Sequence, residues 1–277
     1  MTTVPGDPNM VHVNRRLLRL AFTYPYLMHA SLAVAFSYDQ YLNSPPSARR
    51  SVEECYHWSQ ATVLLSNCLR RPIRTTSMDK DAIWGTAAAL AILTFSSTEA
   101  YSSEGSWPLK PSTTGDELHW LSMSSGKNAL WDFVNPLRPD SIFNVMKGSY
   151  DIMFSPLPDT GIDGIPGPLA AICSLNKPCT AESNPYFHAA HGLSVILNIP
   201  DYEVTTGQTQ LFTRCIHGQF KYLLLSRDPV ALLLLYLWYR KARCIWWIEL
   251  RARVERPAIC EYLRLYHPEH RVHELLQ

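Results

Sequence analysis

Charge is scarce in this chain. Asp, Glu, Lys and Arg make up only 18% of it, and 25 basic residues against 24 acidic ones leave a net charge of +1. An average globular protein carries about 25% charged residues. Whole-molecule attraction to nucleic acid or to acidic membranes is therefore excluded as an organising principle, and the weakly charged surface favours partners. A phosphate-cradling loop is missing too: Gly161, Gly164 and Gly167 are spaced by three among prolines, without a GxGxxG or GK[ST] pattern. The apolar run Val230 to Tyr239 ends at Arg240 and Lys241, well short of the ~20 apolar residues that cross a bilayer. No membrane span is expected. The opening MTTVPGDPNM places Asp7 and two prolines where a secretory signal has basic residues and an apolar stretch, so residues 1–10 are expected to be a disordered N-terminus rather than an address. The seven cysteines are odd in number, and no pair has the short spacing of a zinc knuckle. Reduced, buried thiols in a cytosolic or nuclear setting follow from that pattern.

What is abundant is helical periodicity, with apolar residues recurring three and four apart and few alternating stretches. The expected fold is all-α, an irregular bundle of about ten helices over residues 11–277. The first covers Val11 to Phe22, the second Pro25 to about Leu42, and the third Ser47 to Leu69, stopped by Pro72. Asp79 leads a fourth, from Ile83 to Phe95, whose AAALA run is apolar all round and so belongs at a centre. A fifth begins near Asp116 after a Ser/Thr/Gly/Pro-rich loop at 102–115. The segment 155–168, SPLPDTGIDGIPGP, cannot continue a helix and reads as a hinge or long loop. Helices resume near Gly167, at Pro185 to Leu197 and at Thr206 to Leu225. Residues 228–256 then read as one long helix with Asp228 as its cap and Pro229 at its first position. Two short helices, Pro257 to Leu265 and Pro268 to Leu276, close the chain.

Reactive constellations are weak. His267, His270 and His273 are three apart, but Pro268 intervenes and no Cys or carboxylate is fixed beside them, so they read as a solvated cluster with no metal. Ser194 in HGLSVIL lacks the second glycine of a nucleophile elbow, since Ile196 occupies that place. Cys55 and His57 are two apart and face away from each other on a helix, which rules out a nucleophile and base pair within one turn. No catalytic residue, cofactor or metal ligand is assigned from the sequence. Trp246 and Trp247 with Arg251, Arg253 and Arg256 form an aromatic and basic stretch in a C-terminal quarter that is locally basic. There a helix that buries one tryptophan and shows its arginines to solvent is expected rather than direct DNA contact.

Six blocks in order resemble the regulatory domain of fungal zinc-cluster transcription factors, in the branch of the sterol uptake control proteins. They are YPYLMHASLAVAFSY (24–38), ECYHWSQATVLLSNCL (54–69), ELHWLSMSSGKNAL (117–130), GPLAAI (167–172), DPVALLLLYLWY (228–239) and WWIELRARVERPAICEYL (246–263). The family's six closely spaced cysteines among basic residues are missing, since the early cysteines here are only Cys55 and Cys68. The resemblance implies an all-α regulatory domain in the nucleus, shuttling with the cytoplasm, that does not bind DNA by itself. It acts as a homodimer or as a heterodimer with a zinc-cluster regulator. It also implies an apolar pocket for a sterol or other lipid, for which Met28, Leu32, Trp84, Leu234 and Trp238 are the expected walls. A ligand of roughly thirty heavy atoms gaining ~0.3 kcal/mol per atom would bind by ~8–9 kcal/mol, which drives a switch that needs ~5.5 kcal/mol of differential affinity only if most of that binding is lost in the other state. The alternative is an all-α enzyme associated with fungal secondary metabolism, which requires a polar cavity with converging His, Asp or Glu side chains.

Overall fold

The structure, a computed structural model, describes residues 8–45, 48–70, 76–98, 100, 102–110 and 118–276. The chain divides into two compact units, the first comprising Met1–Thr98 and Leu118–Gly148 and the second Glu99–Glu117 and Ser149–Gln277. The architecture is all-α. Thirteen α-helices occur and no β-strand among the described residues, and one isolated antiparallel bridge joins Thr160 to Thr180.

The first unit holds α1 (Pro8–Ala21), α2 (Pro25–Asn43), α3 (Val52–Leu69), α4 (Ser77–Ser96), α5 (His119–Ala129) and α6 (Trp131–Val134). The expected disordered N-terminus thus gives way to helix from Pro8, while residues 1–7 lie outside the described residues, as do the expected third-helix start at Ser47 and the fifth-helix start at Asp116. Pro25 sits in the first turn of α2, where its missing N–H costs nothing. Ser51 caps α3 by accepting the Glu54 N–H. For α4 the cap is Thr76 rather than Asp79: the Thr76 hydroxyl accepts the Asp79 N–H while the Asp79 carboxylate accepts the Thr76 N–H, a reciprocal capping box. The AAALA helix is central as its composition requires, burying Ile83, Trp84, Ala87, Leu90 and Leu93. Against it pack Leu27, Ala30 and Val34 of α2 and Val13, Leu17 and Ala21 of α1. Each large apolar side chain buried there contributes ~1.5–3 kcal/mol.

Two buried carboxylates pin this unit. Glu54 pairs with Arg50, whose guanidinium also donates to the Leu93 carbonyl and the Ser96 hydroxyl at 3.3 Å each, which fastens the start of α3 to the end of α4. Burial raises the Glu54 pKa, and Arg50 and the Ser37 hydroxyl work against that rise. Asp81 accepts from Arg138 Nη2 at 2.6 Å, from the Ser141 hydroxyl at 2.8 Å and from the Ile142 N–H at 3.1 Å. A single α4 side chain thereby shapes the whole irregular segment 138–142.

The second unit carries most of α7 (Lys147–Met153), then α8 (Gly167–Ile172), α9 (Phe187–Leu197), α10 (Thr206–Cys215), α11 (Gln219–Leu225), α12 (Pro229–Lys241) and α13 (Trp246–Tyr266). Residues 155–166 are non-helical, as expected, with Gly161 and Gly164 at positive φ. Asp228 caps α12 by accepting the Ala231 N–H at 2.8 Å, and Pro229 occupies its first turn.

Four expectations for this half are corrected. Thr206 to Leu225 is two helices, broken where Gly218 takes φ +59, a conformation that a helix cannot contain. Residues 228–256 are not one helix either: α12 stops at Lys241, a 3-10 turn spans Ala242–Cys244, and Ile245 is extended before α13 begins. The cause is tertiary, because Lys241 donates to Asp201 at 2.8 Å and to the Ile199 carbonyl at 2.5 Å while Arg243 reaches Asp201 at 3.0 Å, anchoring the corner. Pro257 lies inside α13 instead of opening a new helix. The final helix reduces to a 3-10 segment, Arg271–Leu275.

α12 is buried along its length from Val230 to Tyr239. Both Trp246 and Trp247 are buried, and Arg251 is only 2% exposed, so the expectation of one buried tryptophan with exposed arginines is also corrected. Arg251 can be interior because it pairs with Glu255, whose other oxygen accepts the Tyr239 hydroxyl at 2.6 Å. Burial first, and Glu255 second, raise the Tyr239 pKa well above the ordinary phenol value.

Removing the Asp81 carboxylate would leave Arg138 with only the exposed Asp140 as its counter-ion and would strip the Ser141 hydroxyl and the Ile142 N–H of their acceptor. Asp81→Ala is expected to lower the unfolding free energy by about 3–5 kcal/mol, read as a shift of the urea midpoint, whereas a loss below about 1 kcal/mol would show that the pair is solvated and weak.

Candidate functional site

On the outer face of the α2–α3 hairpin several large apolar side chains are exposed. Along α3, Val52, Tyr56 and Val63 recur at spacings that place them on one stripe of the helix, and they are 82%, 55% and 51% exposed. Leu42 and Phe36 of α2 are exposed as well, at 58% and 37%. The opposite stripe of α3, Glu54, Ala61 and Leu65, is the one that faces the core. The sequence supplies two apolar stripes to α3 and the fold buries one.

A histidine pair sits in this hairpin. His29 on α2 and His57 on α3 bring their Nδ1 atoms to 2.8 Å, with both side chains half-buried. Phe36 stacks on the His57 ring at 5.9 Å and 13° between planes, and Tyr56 stands edge-on to both imidazoles. At that separation one Nδ1 must carry a hydrogen and the other must accept it, since two bare or two protonated nitrogens would repel. Burial, then the neighbouring His57, lowers the pKa of His29.

The five residues expected to wall a lipid pocket divide between the units. Met28, Leu32 and Trp84 belong to the first and Leu234 and Trp238 to the second. Met28 and Leu32 are half-buried one turn apart on α2. Trp84 is buried in α4, edge-on to Trp131 at 5.5 Å, with the Lys127 ammonium 5.5 Å from its ring centre. Burial pushes the Lys127 pKa down to about 8. Leu234 and Trp238 share one face of α12 and are fully enclosed. Trp238 stacks on Phe212 at 5.5 Å and donates its indole N–H to the Thr209 carbonyl at 3.1 Å.

The remaining sequence candidates are occupied structurally. Ser194 is buried and donates its hydroxyl to the Ala190 carbonyl at 2.7 Å. His270 accepts the Val272 N–H, and His273 bonds the His267 carbonyl at 2.9 Å, so the C-terminal histidines shape their own 3-10 turn. All seven cysteines are unpaired, and the expectation of burial holds fully only at Cys173: Cys55 is exposed and the other five are half-buried. Among the described residues no group of three or more His, Cys, Asp or Glu side chains is arranged to hold a metal ion, and no helix is long and apolar enough to cross a membrane. No family model, no curated protein and no solved structure matches this chain.

Two further histidines share the direction of shift described for His29. Burial lowers the pKa of His191, which bonds the Gly161 carbonyl at 3.2 Å, and burial with Lys221 lowers that of His217. A folded-state pKa below the ordinary imidazole value of 6.5 means that the unfolded chain binds protons first, so this contribution to stability is present above that value and lost as the pH falls through it. Replacing His29, His191 and His217 together by Gln is expected to flatten the dependence of the melting temperature on pH between about 7.5 and 5.5 relative to the parent chain. Parallel profiles for the two proteins would contradict it.

Proposed function

We propose that this chain is an α-helical association module, the regulatory part of a transcription regulator of the fungal zinc-cluster type. It works in the nucleus through protein contacts and takes a sterol or other lipid as its signal. The observation that supports the association half is the exposed stripe Val52, Tyr56 and Val63, extended by Phe36 and Leu42, on a hairpin whose other side is fully packed. Exposed apolar side chains gathered on one face mark protein contact sites in soluble proteins. Two copies meeting through the stripe would bury it isologously, the commonest arrangement of a homodimer. The regulatory setting and the lipid rest on the order of the six resembling blocks.

Two measurements test the halves separately. Light scattering coupled to size-exclusion chromatography is expected to give a dimer, and Val52→Asp with Val63→Asp is expected to give a monomer with unchanged far-ultraviolet circular dichroism. A parent chain that stays monomeric at every accessible concentration would end the association half. For the lipid half, a sterol that binds only the folded chain raises its melting temperature, by an amount equivalent to about 2.7 kcal/mol at a hundredfold excess over Kd. An unmoved midpoint across a sterol series would remove the lipid and leave the association module standing.

A further inference from the structure

The outer face of α1 carries positive charge that no carboxylate around it answers. We propose that this face docks an acidic amphipathic helix of a partner protein, whose apolar row lies on Val11, Leu18 and Phe22 and whose carboxylates pair with Arg15 and Arg19. The surface belongs to a different helix from the exposed stripe of α3, so either can fail without the other.

Its charge is uncompensated. From Pro8 to Tyr38 the sequence has no Asp or Glu, yet it places Arg15, Arg16 and Arg19 within little more than one helical turn. All three arginines are exposed. Among the described residues none of them forms an ion pair. The elements packed against α1 are α2, α4 and the 3-10 turn Asn144–Met146. Their carboxylates are already engaged: Asp39 accepts from Asn43, Asp79 from Thr76 and the Tyr24 hydroxyl, and Asp81 from Arg138. In a chain with a net charge of only +1, this is a local field with no internal counter-ion.

Beside the charge runs an apolar row. Val11 and Leu18 are seven apart, and Phe22 lies four further on, one residue past the end of α1, so the three share a stripe. They are 40%, 49% and 80% exposed. The opposite stripe, Val13, Leu17 and Ala21, is buried. At 3.6 residues per turn Arg15 and Arg19 stand about 60° to one side of the exposed row, while on its other side the helix turns into the core at Ala21.

That one-sided arrangement selects the partner. A helix that lies on a membrane centres its apolar residues and sets cations on both flanks, and here one flank is core. Duplex nucleic acid would answer the arginines through its phosphates but would leave Leu18 and Phe22 against a polar backbone. An amphipathic helix with an apolar row and carboxylates beside it matches both rows at once, with Arg–carboxylate hydrogen bonds setting its register.

Fluorescence anisotropy of the full chain against a labelled synthetic peptide tests the site. The peptide is an amphipathic helix with a leucine row flanked by glutamates, and a scrambled peptide of the same composition is its control. The expected result is saturable binding of the ordered peptide, with the scrambled one about tenfold weaker or worse. Arg15→Glu with Arg19→Glu is expected to weaken binding of the ordered peptide about tenfold or more, and so is Leu18→Ala with Phe22→Ala. All four positions are exposed, so far-ultraviolet circular dichroism is expected to stay unchanged. Arg15→Gln with Arg19→Gln repeats the measurement should the charge reversal unfold the chain. Val52→Asp with Val63→Asp is expected to bind the peptide as the parent does, which separates this face from the α3 stripe. No binding of the ordered peptide up to about 1 mM, equal binding of the scrambled one, binding indifferent to the arginine substitutions, or tighter binding to phosphatidylserine vesicles or duplex DNA than to the ordered peptide would each overturn the proposal.

Discussion

A carboxylate taken out of water costs several kcal/mol unless a cation and hydrogen bonds replace its hydration, and this weakly charged chain accepts that cost at Glu54, Asp81 and Glu255. Each reaches an arginine: Arg50, Arg138 and Arg251 respectively. The consequences are positional. Apolar helices slide against one another with little loss, because burial is rewarded by area and not by direction. A buried ion pair with oriented hydrogen bonds has one low-energy arrangement. Arg50 and Glu54 therefore set the start of α3 against the end of α4, Asp81 sets the irregular chain at 138–142 against α4, and Glu255 sets α13 against Tyr239 of α12. Around these three points the greasy packing of α4 and α12 has a defined register.

Much of the fold was legible because its local signals are strong. Prolines at 25 and 229 sit in first turns, Ser51 and Asp228 cap, and the all-round apolar composition of α4 and α12 demanded central positions that both occupy. What periodicity could not show were breaks imposed from a distance. Nothing between Asp228 and Arg256 disfavours helix locally, yet Asp201, some forty residues upstream, captures Lys241 and Arg243 and the chain turns there. Conversely Pro257, which reads as a boundary, is absorbed into α13, since the flanking turns of that helix are packed through Val254, Ala258 and Ile259. Arg251 misled for a related reason: its charge reads as surface until Glu255, one turn on, supplies the partner that lets both go inside.

The candidate site was legible only in halves. His57 was visible as a histidine on an amphipathic helix, where its spacing of two from Cys55 turns the two side chains apart. Its actual partner is His29, across a hairpin and 28 residues away. Spacing along a chain carries no information on such a contact, because register between α2 and α3 is decided by how buried side chains of two separate helices pack. The exposed stripe on α3 was hidden differently. Val52, Tyr56 and Val63 are apolar residues at helical spacing, a pattern that ordinarily marks a buried stripe, but here Glu54, Ala61 and Leu65 on the opposite side face the core.

Asp201 is 41% exposed, yet it holds two cations at the corner between α12 and α13. Unlike the three interior pairs, this clamp stands in contact with bulk electrolyte, and mobile ions screen such attractions over ~8–10 Å at physiological ionic strength. The joint that separates the two longest helices of the second unit is thus more responsive to salt than the interior pairs. Concentrated electrolyte would loosen the corner while leaving the buried Arg251, Glu255 and Tyr239 network intact, so that the angle between α12 and α13 acquires a freedom that dilute buffer denies it.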